Sequence, residues 1–459
     1  MTSDLALALF VVLGLLASLA SRFAFRTWLT PVVVYFGVWL PVVILEAIPF
    51  MGLRPLLPQT WTAVIVAATA FTAGSFYVWL MVLARQRGVV APPVPLSDDI
   101  YDRRLMRWFI VGLFSLVAWV GLQVVILLPA LRAAGGLAAM FSNGLTVRRS
   151  LYGAGVDAAT TGFSGGSLLR ALLGYGLFLG AITLFWAPLV ARRGHRILAL
   201  APLLIMAAYS FLTLSRAPLL YGVALYAFAF FYHSRSRRPN VARQRLSKLT
   251  ILLVVILVAL MVYIPLKMRQ PDLSPTRTLY SVGLYLVGGI ASLNEQIRQS
   301  GYAPSDGVAR HGTWTFWGEA TIASRLGLQV SLPPNNMPFV NVSRDTSFND
   351  AKNNSATISN VYTYLIYFLN DFGFLGLLIG PFLLGAAATA LNNYVRAGNA
   401  AAIPAAAILM ASIVMSFFGL TLIRDARYLF VAFAAVFLQR LISSRSRAMV
   451  GDVEEGLAV

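Results

Sequence analysis

The sequence predicts an all-α, polytopic integral membrane protein, and three observations carry that prediction. Of its 459 residues 58% are hydrophobic and only 12% are charged. Mean hydropathy is +0.75. The apolar residues come in runs of about 15 to 24, close to the length that crosses a bilayer core as a helix.

The first run, Leu5 to Ala20, follows Asp4 and precedes Arg22 and Arg26. It lacks the basic lead and small-residue cleavage site of a signal peptide, so it is expected to remain as a span with its N-terminus outside. Further spans are expected at residues 29–49, 60–83, 108–129, 167–190, 197–214, 217–232, 249–265, 372–394, 401–423 and 428–442. That makes about eleven transmembrane helices, with a large extracytoplasmic loop between the eighth and the ninth. The expected divisions are an N-terminal bundle over 1–265, a loop subdomain over 266–360, C-terminal helices over 361–442 and a cytoplasmic tail over 443–459. No internal repeat is visible.

The formal charge of +19 and pI near 10.6 do not point to nucleic acid, because no basic domain stands outside the apolar runs. The basic residues gather instead in short turns: Arg22 and Arg26, Arg85 to Arg107, Arg192 to Arg196, Arg235 to Lys248, and Arg440 to Arg447. Lys and Arg favour cytoplasmic loops, so this bias turns the long loop outward. The opposite orientation needs one more half-buried segment, and residues 279–292 are the place for it. With no cysteine, neither a disulfide frame nor a thiolate metal site can form, and His195, His233 and His311 are far apart. No cofactor is expected, and a metal site would have to be built mainly from carboxylates.

The interruption from Pro265 to Asn360 mixes Trp314, Trp317 and several tyrosines with amides, hydroxyls and both signs of charge. Such a mixture suits a sugar or a phosphate, since sugars lie against rings and oxyanions accept from fork-shaped donors. Glu319 and Arg325 lie late in it, in HGTWTFWGEATIASRLG. Glu319 reads either as a general base among aromatics or as a solvated surface carboxylate. His311 reads as a solvated loop residue.

Arg148 and Arg149 in LTVRRSLYG, Arg216 in the turn LSRAP, and the charged turn of Arg424, Asp425 and Arg427 all map to the outer side. A charge at a span centre costs about 2.5–3.5 kcal/mol and less near the interface, so these arginines have either a partner or a purpose. Snorkelling to headgroups is the alternative.

After the loop comes NVYTYLIYFLNDFGFLG, from Asn360 to Gly376. On a helix, Asn360, Tyr364, Phe368 and Asp371 share one face. Asp371 reads either as a site carboxylate or as the cap of the span that follows.

Those four stretches, LTVRRSLYG, SRAPLL, GTWTFWGEATIASRLGL and NVYTYLIYFLNDFGFLG, resemble the O-antigen polymerase, or Wzy-type oligosaccharide repeat-unit polymerase, family of bacterial inner membranes. The resemblance covers the whole chain in hydropathy and only these blocks in specific residues. It implies a glycosyltransferase that moves a growing glycan from one undecaprenyl diphosphate carrier to a repeat unit on another, at the periplasmic face. Donor and acceptor lipid-linked oligosaccharides and membrane lipid are the implied partners, with a chain-length regulator left open and no nucleic acid. On that reading Arg148, Arg149, Arg216 and Arg424 hold diphosphate, Arg216 as part of the catalytic set, and Arg325 and Arg427 bind substrate. Glu319 or Asp371 takes the acceptor proton or orients the acceptor. Trp314, Trp317 and Tyr362 stack on sugars, and Asn360 binds substrate. Related O-antigen ligases carry a histidine beside asparagine in the loop, whereas His311 is followed by Gly312. Ligation to lipid A core and transport of lipid-linked sugars are the alternative functions.

Overall fold

A computed structural model of the chain describes residues 2–48, 53–85, 98–133, 183–191, 194–212, 217–236, 275–303, 340–341, 358–359, 363–397 and 402–417, with a few single positions between them. The fold is all-α. Its helices are α1 (Ser3–Phe25), α2 (Pro31–Ala47), α3 (Pro58–Arg85), α4 (Asp98–Ala133), α5 (Arg196–Leu212), α6 (Ala217–Ser236), α7 (Pro275–Ser300), α8 (Tyr364–Arg396) and α9 (Ile403–Val414). Two short strands, β1 (Val340–Asn341) and β2 (Ile358–Ser359), pair antiparallel, Val340 opposite Ser359.

Among the described residues, four helical stretches are long and apolar enough to cross a membrane: Ser3–Phe25, Pro58–Ala84, Leu105–Val125 and Tyr364–Arg396. Their surfaces agree with that. Leu5, Leu9, Leu16 and Phe23 on α1, Val111 and Phe114 on α4, and Leu375, Ile379 and Leu383 on α8 are all exposed. Continuous apolar faces of this kind suit lipid and not water. The expected spans at 249–265 and 428–442 lie outside the described residues, save Phe437, as does most of the one at 167–190.

The chain forms two compact units. One comprises Met1–Pro92, Leu279–Tyr394 and Ile408–Leu429, and the other Pro93–Thr278, Val395–Ala407 and Phe430–Val459. In the second unit α5 packs on α4 and on α6. Trp119 lies on Tyr209 with ring centroids 4.6 Å apart. His233 is a core residue there, its Nε2 3.0 Å from the carbonyl of Phe185.

The first unit is built on glycine. α1 ends at Arg26 in the left-handed region, φ 52°, and α2 starts at Thr30, whose hydroxyl accepts from the N–H of Val33. Pro31 at the first helical position fits because its missing N–H has no helical partner anyway. α3 and α8 then meet backbone to backbone. A Cβ at Gly74 would overlap the carbonyl of Phe382, and one at Gly385 the carbonyl of Phe71. Small residues that let backbones approach are how helices associate in lipid, where van der Waals packing and hydrogen bonds replace the hydrophobic drive.

Candidate functional site

The sequence block ending in NDFGFLG becomes a broken helix. Gly373, inside α8, has φ 58° and ψ −145°, a conformation essentially confined to glycine. The first leg, Tyr364 to Phe372, is buried at every residue up to Asp371. The second leg leans back across it. A Cβ at Gly376 would overlap the carbonyl oxygen of Phe368, and one at Gly380 would overlap the Phe368 ring. In an unbroken helix eight residues span about 12 Å of axis, so this contact requires the reversal at Gly373.

α2, α7 and the end of α9 enclose the first leg. Tyr35 and Tyr364 share a hydrogen bond between hydroxyls at 3.0 Å. The Trp39 indole N–H donates to the Ser416 hydroxyl at 2.8 Å. The Tyr364 N–H, left without a helical acceptor at the leg's start, donates to the Ser416 carbonyl at 2.9 Å. On the α7 side, a Cβ at Gly289 would overlap the Phe417 carbonyl and crowd Thr363.

The interval expected to be loop therefore opens with a helix packed into this core. α7 is strongly amphipathic, and its residues 287–297 are all buried. Three successive polar residues near its C-terminus, Asn294, Glu295 and Gln296, point three ways, because each helical residue turns about 100° from the last. Asn294 accepts from the Leu57 N–H at 2.8 Å and the Thr60 hydroxyl at 2.7 Å. Its amide donates to the Pro55 carbonyl at 3.1 Å. Glu295 accepts from Arg54 at 2.7 Å and Gln299 at 3.0 Å, with Arg298 Nε at 3.4 Å. Gln296 donates to the Asn370 side-chain oxygen at 2.7 Å.

The break in α8 borders the same polar node. Tyr302, just past α7, donates its hydroxyl proton to the Gln59 carbonyl at 2.8 Å, and its ring meets Phe374 edge-on at 5.1 Å. Partial burial raises the Tyr302 phenol above its usual pKa. Buried polar groups cost about 1–3 kcal/mol each when unmade, so a node this dense holds only because its members satisfy one another.

Of the residues singled out in the sequence, Asp371 is the one within this description. It is 3% exposed and adjoins Asn370 in the last turn of the first leg. A carboxylate in a C-terminal turn opposes the helix dipole. Arg148, Arg149, Arg216, Trp314, Trp317, Glu319, Arg325, Asn360, Tyr362, Arg424 and Arg427 lie outside the described residues.

Sequence reading missed Arg54, Asn294, Glu295 and Gln296. The available signal was an uninterrupted polar triplet, Asn-Glu-Gln, at the end of an apolar-periodic segment. Among the described residues no group of three or more His, Cys, Asp or Glu could hold a metal ion.

Fold and site thus define an α-helical protein with helices long and apolar enough to cross a membrane and a buried polar node at a broken helix. Comparison with protein-family models, with curated proteins and with solved structures finds no match for this chain.

Proposed function

We propose that this chain is a glycan polymerase of the bacterial inner membrane, with about eleven spans and its site at the periplasmic face. It joins undecaprenyl-diphosphate-linked oligosaccharide repeat units by glycosyl transfer from one carrier to the non-reducing end of the next unit. The observation that carries the reading is the broken helix α8. From Tyr364 on, the most specific of the resembling blocks, NVYTYLIYFLNDFGFLG, folds as an interrupted helix, buried up to Asp371, beside a polar node. Irregular backbone at membrane depth is tolerated only where protein or a cavity surrounds it, and it commonly marks a working site.

The reaction is a displacement at the anomeric carbon of the donor sugar. An acceptor hydroxyl oxygen forms the new bond, the bond to the lipid diphosphate oxygen breaks, and the hydroxyl proton passes to a carboxylate, Asp371 or Glu319. The leaving group is already good. Fixed cations and an oriented acceptor therefore supply most of the barrier reduction. Arg148, Arg149, Arg216, Arg325, Arg424 and Arg427 are assigned to the diphosphate, where guanidinium forks stay charged and bind two oxygens at once. Trp314, Trp317 and Tyr362 are assigned to the sugar faces, and Asn360 to a sugar hydroxyl. The reaction needs no cofactor. A chain-length regulator is a partner consistent with this role.

Arg216→Ala is expected to abolish polymer while single repeat units still reach the cell surface, read from the glycan ladder of whole cells. Wild-type polymer in that strain would sink the assignment. Loss of every glycan on the lipid A core would indicate a ligase instead. Transport of lipid-linked sugars is the second reading, because broken helices also form the midplane sites of secondary transporters. The absence of a sequence repeat weighs against it.

A further inference from the structure

The first unit carries a cationic cluster that the sequence does not reveal. Arg54, between α2 and α3, and Arg298, in the last turn of α7, share one carboxylate, Glu295. The two cations are part-exposed, at 30% and 38% of their side chains, while the anion between them is 9% exposed. Among the described residues one positive charge is left over, and it is the more exposed while the compensating carboxylate is nearly buried.

A structural staple does not explain the arrangement. Asn294 already ties this segment to α7 through its bonds to Pro55, Leu57 and Thr60. Part-exposed ion pairs add little to such a tie. The geometry also leaves donors over. Arg54 gives Glu295 one of its guanidinium nitrogens, and Arg298 approaches through Nε alone at 3.4 Å. Among the described residues the other N–H groups of both have no protein acceptor. Beside them the Gln299 amide uses its nitrogen on Glu295 and keeps its oxygen, and the half-buried Tyr302 follows Arg298 by four residues.

We propose that Arg54 and Arg298, held by Glu295, bind the carboxylate of an acidic sugar, with Gln299 accepting from a neighbouring hydroxyl and Tyr302 lining the sugar face. Two guanidiniums with spare donors match a carboxylate, and an amide with an aromatic ring matches the sugar that bears it. This rests on the polymerase reading and deepens it: the repeat unit contains a uronic or similar acid, and the lipid diphosphate is held elsewhere. An Arg–carboxylate contact here acts on which glycan is accepted, so Arg54 and Arg298 are specificity residues.

The test is binding of tri-galacturonate to the purified full-length protein in detergent, with maltotriose and farnesyl diphosphate as the other arms. Saturable tri-galacturonate binding is expected, weakened by rising salt, with maltotriose failing to bind comparably. Arg54→Gln and Arg298→Gln are each expected to weaken it by roughly tenfold or more, the scale of a lost charge-assisted hydrogen bond. Arg298 is the more exposed, so its variant is the safeguard should Arg54→Gln misfold, with thermal unfolding as the control on both. Equal binding of maltotriose, unchanged tri-galacturonate binding in a folded Arg298→Gln, or displacement of tri-galacturonate by farnesyl diphosphate would each overturn the proposal, the last by making this the diphosphate site. Binding needs no turnover, so the inference and the polymerase reading fail separately: acid binding without polymer formation sinks the latter, and polymer from neutral units without acid binding sinks the former.

Discussion

Gly376→Ala and Gly373→Ala are expected to lower the thermal stability of the detergent-solubilised protein by about 1–3 kcal/mol each, for different reasons. At Gly373 the cost is conformational. Its φ of 58° with ψ of −145° is open to glycine and nearly closed to alanine, so the new side chain must either strain the backbone or unbend the helix. At Gly376 the cost is steric, because the added methyl would meet the Phe368 carbonyl oxygen, a backbone atom that cannot swing aside. Gly121→Ala is the control: it lies in α4 with open space around it, and exchanging a helical glycine for alanine there is expected to be neutral or stabilising by up to about 1 kcal/mol. Equal effects at all three positions, measured by thermal unfolding, would mean that the fold-back is not what those glycines serve.

Asp371→Asn is expected to reduce polymer formation by roughly 10²–10⁴-fold, the usual contribution of a positioned general base, while thermal unfolding stays near that of the parent. The exchange keeps the shape of the side chain and its capacity to accept a hydrogen bond, and it removes the capacity to take a proton at neutral pH. A structural role for Asp371 predicts the opposite pattern, with stability falling and the residual folded fraction fully active. Gln296→Ala separates the neighbours. It deprives Asn370 of its 2.7 Å partner and is expected to cost stability first, with activity falling only as far as the broken helix loosens.

The helices legible in the sequence were those whose apolar runs alone reach across a bilayer, as α1 from Ser3 to Phe25, α3 and α4 do. α7 was legible only as a stretch able to hide a half-buried segment. Its periodicity is strong, but polar residues at both ends dilute its apolar middle, and a search for apolar runs passes over such a helix. The break in α8 was written in the spacing of Gly373, Gly376 and Gly380, three and then four residues apart. That spacing was read as part of an ordinary span, because glycines are common in membrane helices and hydropathy is blind to backbone conformation. Of the polar node, the Asn-Glu-Gln triplet stands in the sequence, but its partners do not. Arg54 and Glu295 are 241 residues apart, and nothing local to either signals the other. Asp371 stood out because a carboxylate beside a long apolar run is conspicuous in any context, whereas Asn294 and Gln296 gain their partners only once the helices pack.

The central claim is tested most directly by incubating the purified protein in detergent with synthetic undecaprenyl-diphosphate-linked repeat units and no other component, then resolving the products by length. A self-sufficient polymerase gives a ladder of glycans on lipid carrier, with undecaprenyl diphosphate released at each step. A ladder-free mixture that yields transfer only after lipid A core is added, or no transfer with either acceptor, would contradict it.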